Sequence, residues 1–180
     1  MKRYVVATLV ATALMNVRTT AITVVPMTFE QLVSESEAVI YARVGDVRGQ
    51  WTTNRRSIES IVTLDALRYL KGGLGETVLI RLPGGQAGGR INLLPGAPVL
   101  REGDLVVVFL DSHGPAIPTV LGLNQGIFRV VPDARTGAAI VTPPPLKASE
   151  AGRIVRGAAE RRTLTVDAFA AAVRDLEAVR

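Results

Sequence analysis

The stretch "AVIYARVGDVRGQW" has a period of two. Ile40, Ala42 and Val44 fall on one side of an extended chain, and Val39, Tyr41 and Arg43 fall on the other. A helix with this order would scatter its apolar side chains around its axis. A strand sorts them onto faces, and a strand needs neighbours to satisfy its peptide groups. Gly45 interrupts the pattern, as a bulge or a sharp bend in a coiling strand would require.

A second long strand is expected in "RSIESIVTLDALRYLKGG", where Ile58, Ser60, Val62, Leu64 and Ala66 alternate with Glu59, Ile61, Thr63, Asp65 and Leu67. Its second half also has helical spacing and a glycine stop. The β-branched residues Ile58, Ile61, Val62 and Thr63 tip the balance to strand. "ETVLIRLP" and "GRINLL" read as shorter strands. The unbroken apolar run of "GDLVVVFLD" marks a central one. "TVLGL", "GIFRVV" and "AAIVT" follow, joined by the turn residues "NQ" and "PDARTG". About seven or eight strands at this spacing predict an all-β, mainly antiparallel barrel or sandwich. Its core should be aliphatic, because aromatics make up only 4% of the chain. Val62, Leu64, Val107, Phe109 and Phe128 sit in the middle of the most apolar runs and are expected to be buried.

Two helices bracket the strands. In "PMTFEQLVSES", Thr28 and Gln31 have capping-box spacing, Met27 and Leu32 can close a hydrophobic staple, and Phe29, Leu32 and Val33 share a face. In "LTVDAFAAAVRDLEAVR", Thr165 is the expected cap and Leu164 and Phe169 the staple. Asp167 there complements the positive end of the helix, and Val166, Phe169, Val173 and Leu176 form a docking stripe. Three prolines and mixed charge without periodicity make residues 143–163 a linker.

The N-terminus reads as an address. Lys2 and Arg3 precede an uncharged apolar run from Tyr4 to Met15, with small residues at Thr19 and Ala21 where a secretory signal is cleaved. The run is short for a permanent membrane span, and no cysteine is present to carry a lipid. Residues 1–21 are thus expected to be a signal peptide, residues 22–142 a β-barrel domain, residues 143–163 a linker and residues 164–180 an amphipathic helix. Cleavage would remove the cations Lys2, Arg3 and Arg18 and no acid, taking the formal charge from +5 to +2. Without cysteine, apolar burial must hold an exported domain together with no disulfide to help.

Several chemistries lack their residues. "PGGQAGG" is followed by Arg90 and Ile91, not by the lysine and hydroxyl of a P-loop, and Pro95 blocks a useful helix beyond it. A hairpin connection explains Gly84, Gly85, Gly88 and Gly89 better, at least one of them with positive φ. "KGGLGE" is a turn for the same reason. His113 is the only histidine; its neighbours Asp111 and Ser112 are too close in sequence to converge with it on one substrate atom. One histidine and no cysteine leave zinc, copper and haem without ligands, so no cofactor or metal is expected. Asp46, Glu59, Asp65, Glu102, Asp104 and Asp133 are available for acid–base work, but spacing groups none of them. Arg55 and Arg56 lie near Trp51. Arg153, Arg156, Arg161 and Arg162 are offset by Glu150 and Glu160 and lack aromatics, so nucleic acid is not an expected partner.

"SEAVIYARVGDV", "LKGGLGETVLIRLPGG", "PGAPVLREGDLVVVFL" and "VLGLNQGIFRVV" together resemble an uncharacterised family of exported bacterial proteins. More distantly, the long glycine-bent strand after "SEAV" resembles the start of the five-stranded barrels of netrin-like modules and metalloproteinase inhibitors. Those inhibitors chelate zinc with an N-terminal cysteine that this chain lacks, so the resemblance implies the fold and not the mechanism. The expectation is an exported, non-enzymatic barrel of oligonucleotide/oligosaccharide-binding or netrin-like type. Its partner would be another exported protein or an envelope component, met by the loop Gly84, Gly85, Gln86, Gly88 and Gly89. The alternative is a hydrolase built on carboxylates alone; Asp46, Glu59 and Asp104 gathered in one cleft would favour it.

Overall fold

A computed structural model of the protein describes residues 26–112, 117–147, 154–156 and 163–179. Residues 1–21 (the expected signal peptide), His113 and most of residues 143–163 lie outside the described residues. Helix α1 (Phe29–Glu35) leads into β1 (Ala38–Trp51), β2 (Ile58–Lys71), β3 (Thr77–Pro83), β4 (Gly85–Ala87) and β5 (Arg90–Asn92). Next come β6 (Leu105–Asp111), β7 (Thr119–Val120), a 3-10 turn (Leu123–Gly126), β8 (Ile127–Pro132) and β9 (Ala139–Thr142). The chain continues through β10 (Pro145–Lys147), β11 (Ile154–Arg156) and β12 (Leu164–Thr165) to α2 (Val166–Ala178). The fold is mostly β, built on one large sheet in which every pairing is antiparallel except β3 with β7.

The long strands pair as their patterns demand. β1 and β2 form a hairpin from Trp51↔Ile58 down to Val39↔Lys71. Gly45 is skipped between Val44↔Leu64 and Asp46↔Thr63, so it is a bulge. β1 pairs along its other edge with β6, from Ala38↔Leu110 to Arg43↔Leu105. β6 also pairs with β7 and β8, and β3 meets β7 at Arg81↔Thr119. The pairing order therefore runs β1–β2–β3–β7–β6 and returns to β1.

Alternation divides the core in two. Ile40, Ala42, Val44, Val62, Leu64, Ile80, Val106 and Val108 pack together on one face of the strands. Val39, Val107, Phe109, Phe128 and Val130 point the other way, where Leu32 and Val33 of α1 and Phe169, Ala170 and Val173 of α2 cover them. β6 is apolar from Leu105 to Leu110 and has both of its faces covered, as the unbroken run implied. All four phenylalanines of the chain converge here: Phe29, Phe109, Phe128 and Phe169 stand with ring centroids 5.2–6.2 Å apart. Most meet edge to face, the arrangement that ring quadrupoles favour. Val62, Leu64, Val107, Phe109 and Phe128 are all buried, as expected.

Both helices are capped as their sequences suggest. Thr28 Oγ1 accepts from the Gln31 N–H (3.2 Å) while Gln31 Oε1 accepts from the Thr28 N–H (2.8 Å). Thr165 Oγ1 accepts from the Ala168 N–H. α2 docks on the sheet beside β2, where Arg68 reaches Asp167 at 2.7 Å, and the Lys71 ammonium of β2 ties α1 by donating to the Val33 carbonyl at 2.6 Å. In "PDARTG" the Asp133 carboxylate accepts from the Thr136 N–H and hydroxyl and from the Arg135 N–H. Those bonds hold it below the ordinary carboxylate range, the two from Thr136 first.

"TVLGL" departs from its strand expectation. Only Thr119–Val120 is extended, and the chain then turns through Gly122 and Leu123, both at positive φ. A contact distant in sequence holds the turn in place: the buried Gln125 carboxamide accepts from the Met27 N–H at 2.8 Å, tying it to the entry of α1.

Candidate interaction surface

β3 ends at Pro83, and Gly84 (φ 86°) with Gly85 (φ 134°) swing the chain out of the large sheet. Gly85–Ala87 then pairs with Arg90–Asn92. Between them Gly88 (φ 56°) and Gly89 (φ 74°) form a two-residue turn with both central residues left-handed, the geometry that matches the twist of an antiparallel ribbon. "PGGQAGG" is therefore not a hairpin connection between "TVLIRL" and "RINLL", because Arg90–Asn92 pairs with Gly85–Ala87 and not with β3. It contains a strand, a bend and a hairpin turn, and all four glycines have positive φ. The chain after Gly89 is β5, so no helix starts from the turn. Among the described residues nothing lies within 4 Å of a Cβ placed on Gly89. The cost of Gly89→Ala is therefore conformational, expected at about 1–2 kcal/mol. Gly89→Asn should recover part of it, and a denaturant titration of the two variants checks this.

The ribbon rests on the far end of the β1–β2 hairpin. A Cβ on Gly49 would lie 2.0 Å from the Gln86 carbonyl oxygen, and one on Gly85 would lie 2.3 Å from Ser60 Oγ. Ser60 Oγ donates to the Gly84 carbonyl, and the Gly84 N–H donates to that of Ile58. Gly85 and Arg90 consequently face β1 and β2, the Arg90 guanidinium standing 5.9 Å from the centre of the Trp51 ring. Gln86 and Ile91, opposite each other in the ribbon, face away. Ile91 is 64% exposed, Leu93 79% and Trp51 37%. The signal for this outward face was the alternation in "RINL". The seating of Arg90 on Trp51 joins residues that no local pattern connects.

Beside Trp51, the turn between β1 and β2 is pinned internally. The Thr52 N–H donates to the Ser57 carbonyl (2.9 Å), the Arg55 N–H to that of Thr52 (2.7 Å) and the Arg56 N–H to Asn54 Oδ1 (3.0 Å). This holds Arg55 at φ 54°, left-handed although it has a Cβ, and leaves Arg55 and Arg56 exposed.

Beside the ribbon runs a groove of about 340 Å³, lined in part by Ile58, Leu82, Leu94 and Val120 with Glu59 and Arg81. Glu59 accepts from Gln50 Nε2 at 2.9 Å and lies 3.5 Å from Arg81 Nε. That separation is an ion pair but not a hydrogen bond, so Arg81 Nε is buried without an acceptor.

Each of the main carboxylates has its own partner. Asp46 pairs with Arg48, Glu59 with Arg81, and Asp104 with Arg129 and the Arg101 N–H. Among the described residues no three of histidine, aspartate and glutamate assemble as a metal-binding group. Comparison with protein-family models, curated proteins and solved structures finds no match to this chain.

Proposed function

We propose that the protein is an exported binding module whose contact surface is the tip formed by the glycine ribbon and the β1–β2 turn. The observation that carries this is the outward face of the ribbon. Ile91 and Leu93 stand in solvent on a segment held to the domain by backbone contacts at Gly49 and Gly84. Large aliphatic side chains fixed at an accessible tip suit a partner's surface better than they suit water. The pairing circuit β1–β2–β3–β7–β6–β1, with its one parallel contact, supports an oligonucleotide/oligosaccharide-binding-like or netrin-like barrel as the scaffold. The basic start and apolar run of residues 2–15 support export. A carboxylate hydrolase is disfavoured because Asp46, Glu59 and Asp104 engage separate cations instead of sharing a cleft.

A photo-crosslinking residue at Leu93, in cells that export the protein, tests the proposal. A discrete crosslinked species in the envelope or exported fraction is expected. The same residue at Val131, an exposed position on β8, should not give it. Identical patterns from both positions, or none from Leu93, would remove the basis for a binding tip.

A further inference from the structure

The proposed tip carries more positive charge than its own carboxylates can answer. Asp46 engages Arg48 and Glu59 faces Arg81. Among the described residues no carboxylate lies within ion-pair distance of Arg55, Arg56 or Arg90. Arg90 stands over the Trp51 ring, Arg55 and Arg56 are exposed in the turn that follows Trp51, and on the ribbon that carries Arg90 the side chains of Ile91 and Leu93 point outward. Arg55 also occupies a backbone conformation that glycine or asparagine would take at lower cost, inside a turn whose hydrogen bonds keep it there. Strain kept at an exposed cation is a mark of use, because stability alone would favour another residue.

We infer that the partner is an acidic protein segment, its carboxylates met by Arg55, Arg56 and Arg90 and its apolar side chains by Trp51, Ile91 and Leu93. This rests on the binding-tip reading above. The chemistry of the surface selects protein among polyanions. Successive nucleic-acid bases want several aromatic platforms, and this tip has one. Ile91 and Leu93 offer bases and sugars nothing, whereas they suit leucine or valine side chains. Tryptophan and arginine are the residues that most often carry the energy of protein interfaces. Arg90, stacked on Trp51, is already oriented when a carboxylate arrives, which lowers the entropy lost on binding.

Trp51 is the only tryptophan in the chain, so its emission reports on this site alone. The probe is a synthetic peptide in which glutamate alternates with leucine, titrated into the full chain. The expected result is a saturable change in Trp51 emission whose apparent affinity falls as salt is raised. Arg55→Gly should weaken binding while keeping or raising the thermal midpoint, because glycine relieves the left-handed backbone. Arg55→Gly combined with Arg56→Glu should cost at least about tenfold in affinity, a loss of about 1.4 kcal/mol. Arg135→Glu, on the β8–β9 turn, should change nothing. Oligothymidylate and phosphatidylglycerol vesicles are the competing probes. A response to either that equals or exceeds the peptide's would overturn a protein partner in favour of a nucleic acid or a membrane. No response to the peptide, with crosslinking from Leu93 intact, would overturn the acidic partner and spare the binding tip. Loss of both would reject the tip itself.

Discussion

Phe109→Ala is expected to destabilise the protein by about 3–5 kcal/mol. Phe109 is completely buried, and its ring lies 6.1 Å from Phe29 of α1, 5.6 Å from Phe128 of β8 and 6.2 Å from Phe169 of α2. Its removal opens a cavity in the one layer where the sheet and both helices meet. The surrounding rings are too rigid to fill it, so the lost transfer energy and the cavity term both apply. Phe109 also lies on β6, which pairs with β1, β7 and β8, so little backbone freedom is available for collapse. Chemical denaturation monitored by far-UV circular dichroism measures the loss. A change below about 1 kcal/mol would mean that the helices are not seated on this side chain.

Gly49→Ala is the other change with a large expected effect. The added Cβ would fall 2.0 Å from the Gln86 carbonyl oxygen, 2.8 Å from its carbon and 2.9 Å from the Gln86 nitrogen. All three are backbone atoms, so no rotamer change can move them aside. Either β1 or the ribbon must shift, at an expected cost of about 1–3 kcal/mol, the range for inserting atoms into packed structure. Movement of the ribbon would also lift Gly88 and Arg90 from Trp51. A red-shifted tryptophan emission should therefore accompany the lower thermal midpoint, along with loss of the crosslink from Leu93. Gly73→Ala is the control, since its Cβ meets nothing within 4 Å and its φ is not positive. A Gly49→Ala variant with parental stability and emission would show that the ribbon does not rest on β1.

Two glycines in the same strand thus do different work, and sequence distinguished only one of them. Gly45 breaks a period-two pattern, and that break was visible as a bulge. Gly49 fits the strand pattern without strain, and its role appears only when a segment from beyond β3 crosses it. The same division runs through the proposed site. The glycines of "PGGQAGG" announced a turn, because left-handed positions are a local property of the backbone. That Arg90 would stand over Trp51, at the same end of the hairpin as Arg55 and Arg56, depended on where the ribbon landed.

What the amino-acid order determined by itself is what acts over a few residues: the faces of β1, β2 and β6, the capping box of Thr28 and Gln31, the Thr165 cap and the turn of Asp133. Side-chain direction, orphan peptide groups and turn dihedrals are decided between near neighbours, so they are written in local spacing. The tertiary structure decided the rest. It chose which edge of β1 meets β6, shortened "TVLGL" in favour of a bond between Gln125 and Met27, and drew four phenylalanines far apart in sequence into one layer. It also gave Asp46, Glu59 and Asp104 separate partners and left Arg55, Arg56 and Arg90 without a carboxylate in ion-pair reach among the described residues. Burial of apolar faces is non-directional and depends on every segment at once. Contacts of that kind cannot be read from any single stretch of the chain.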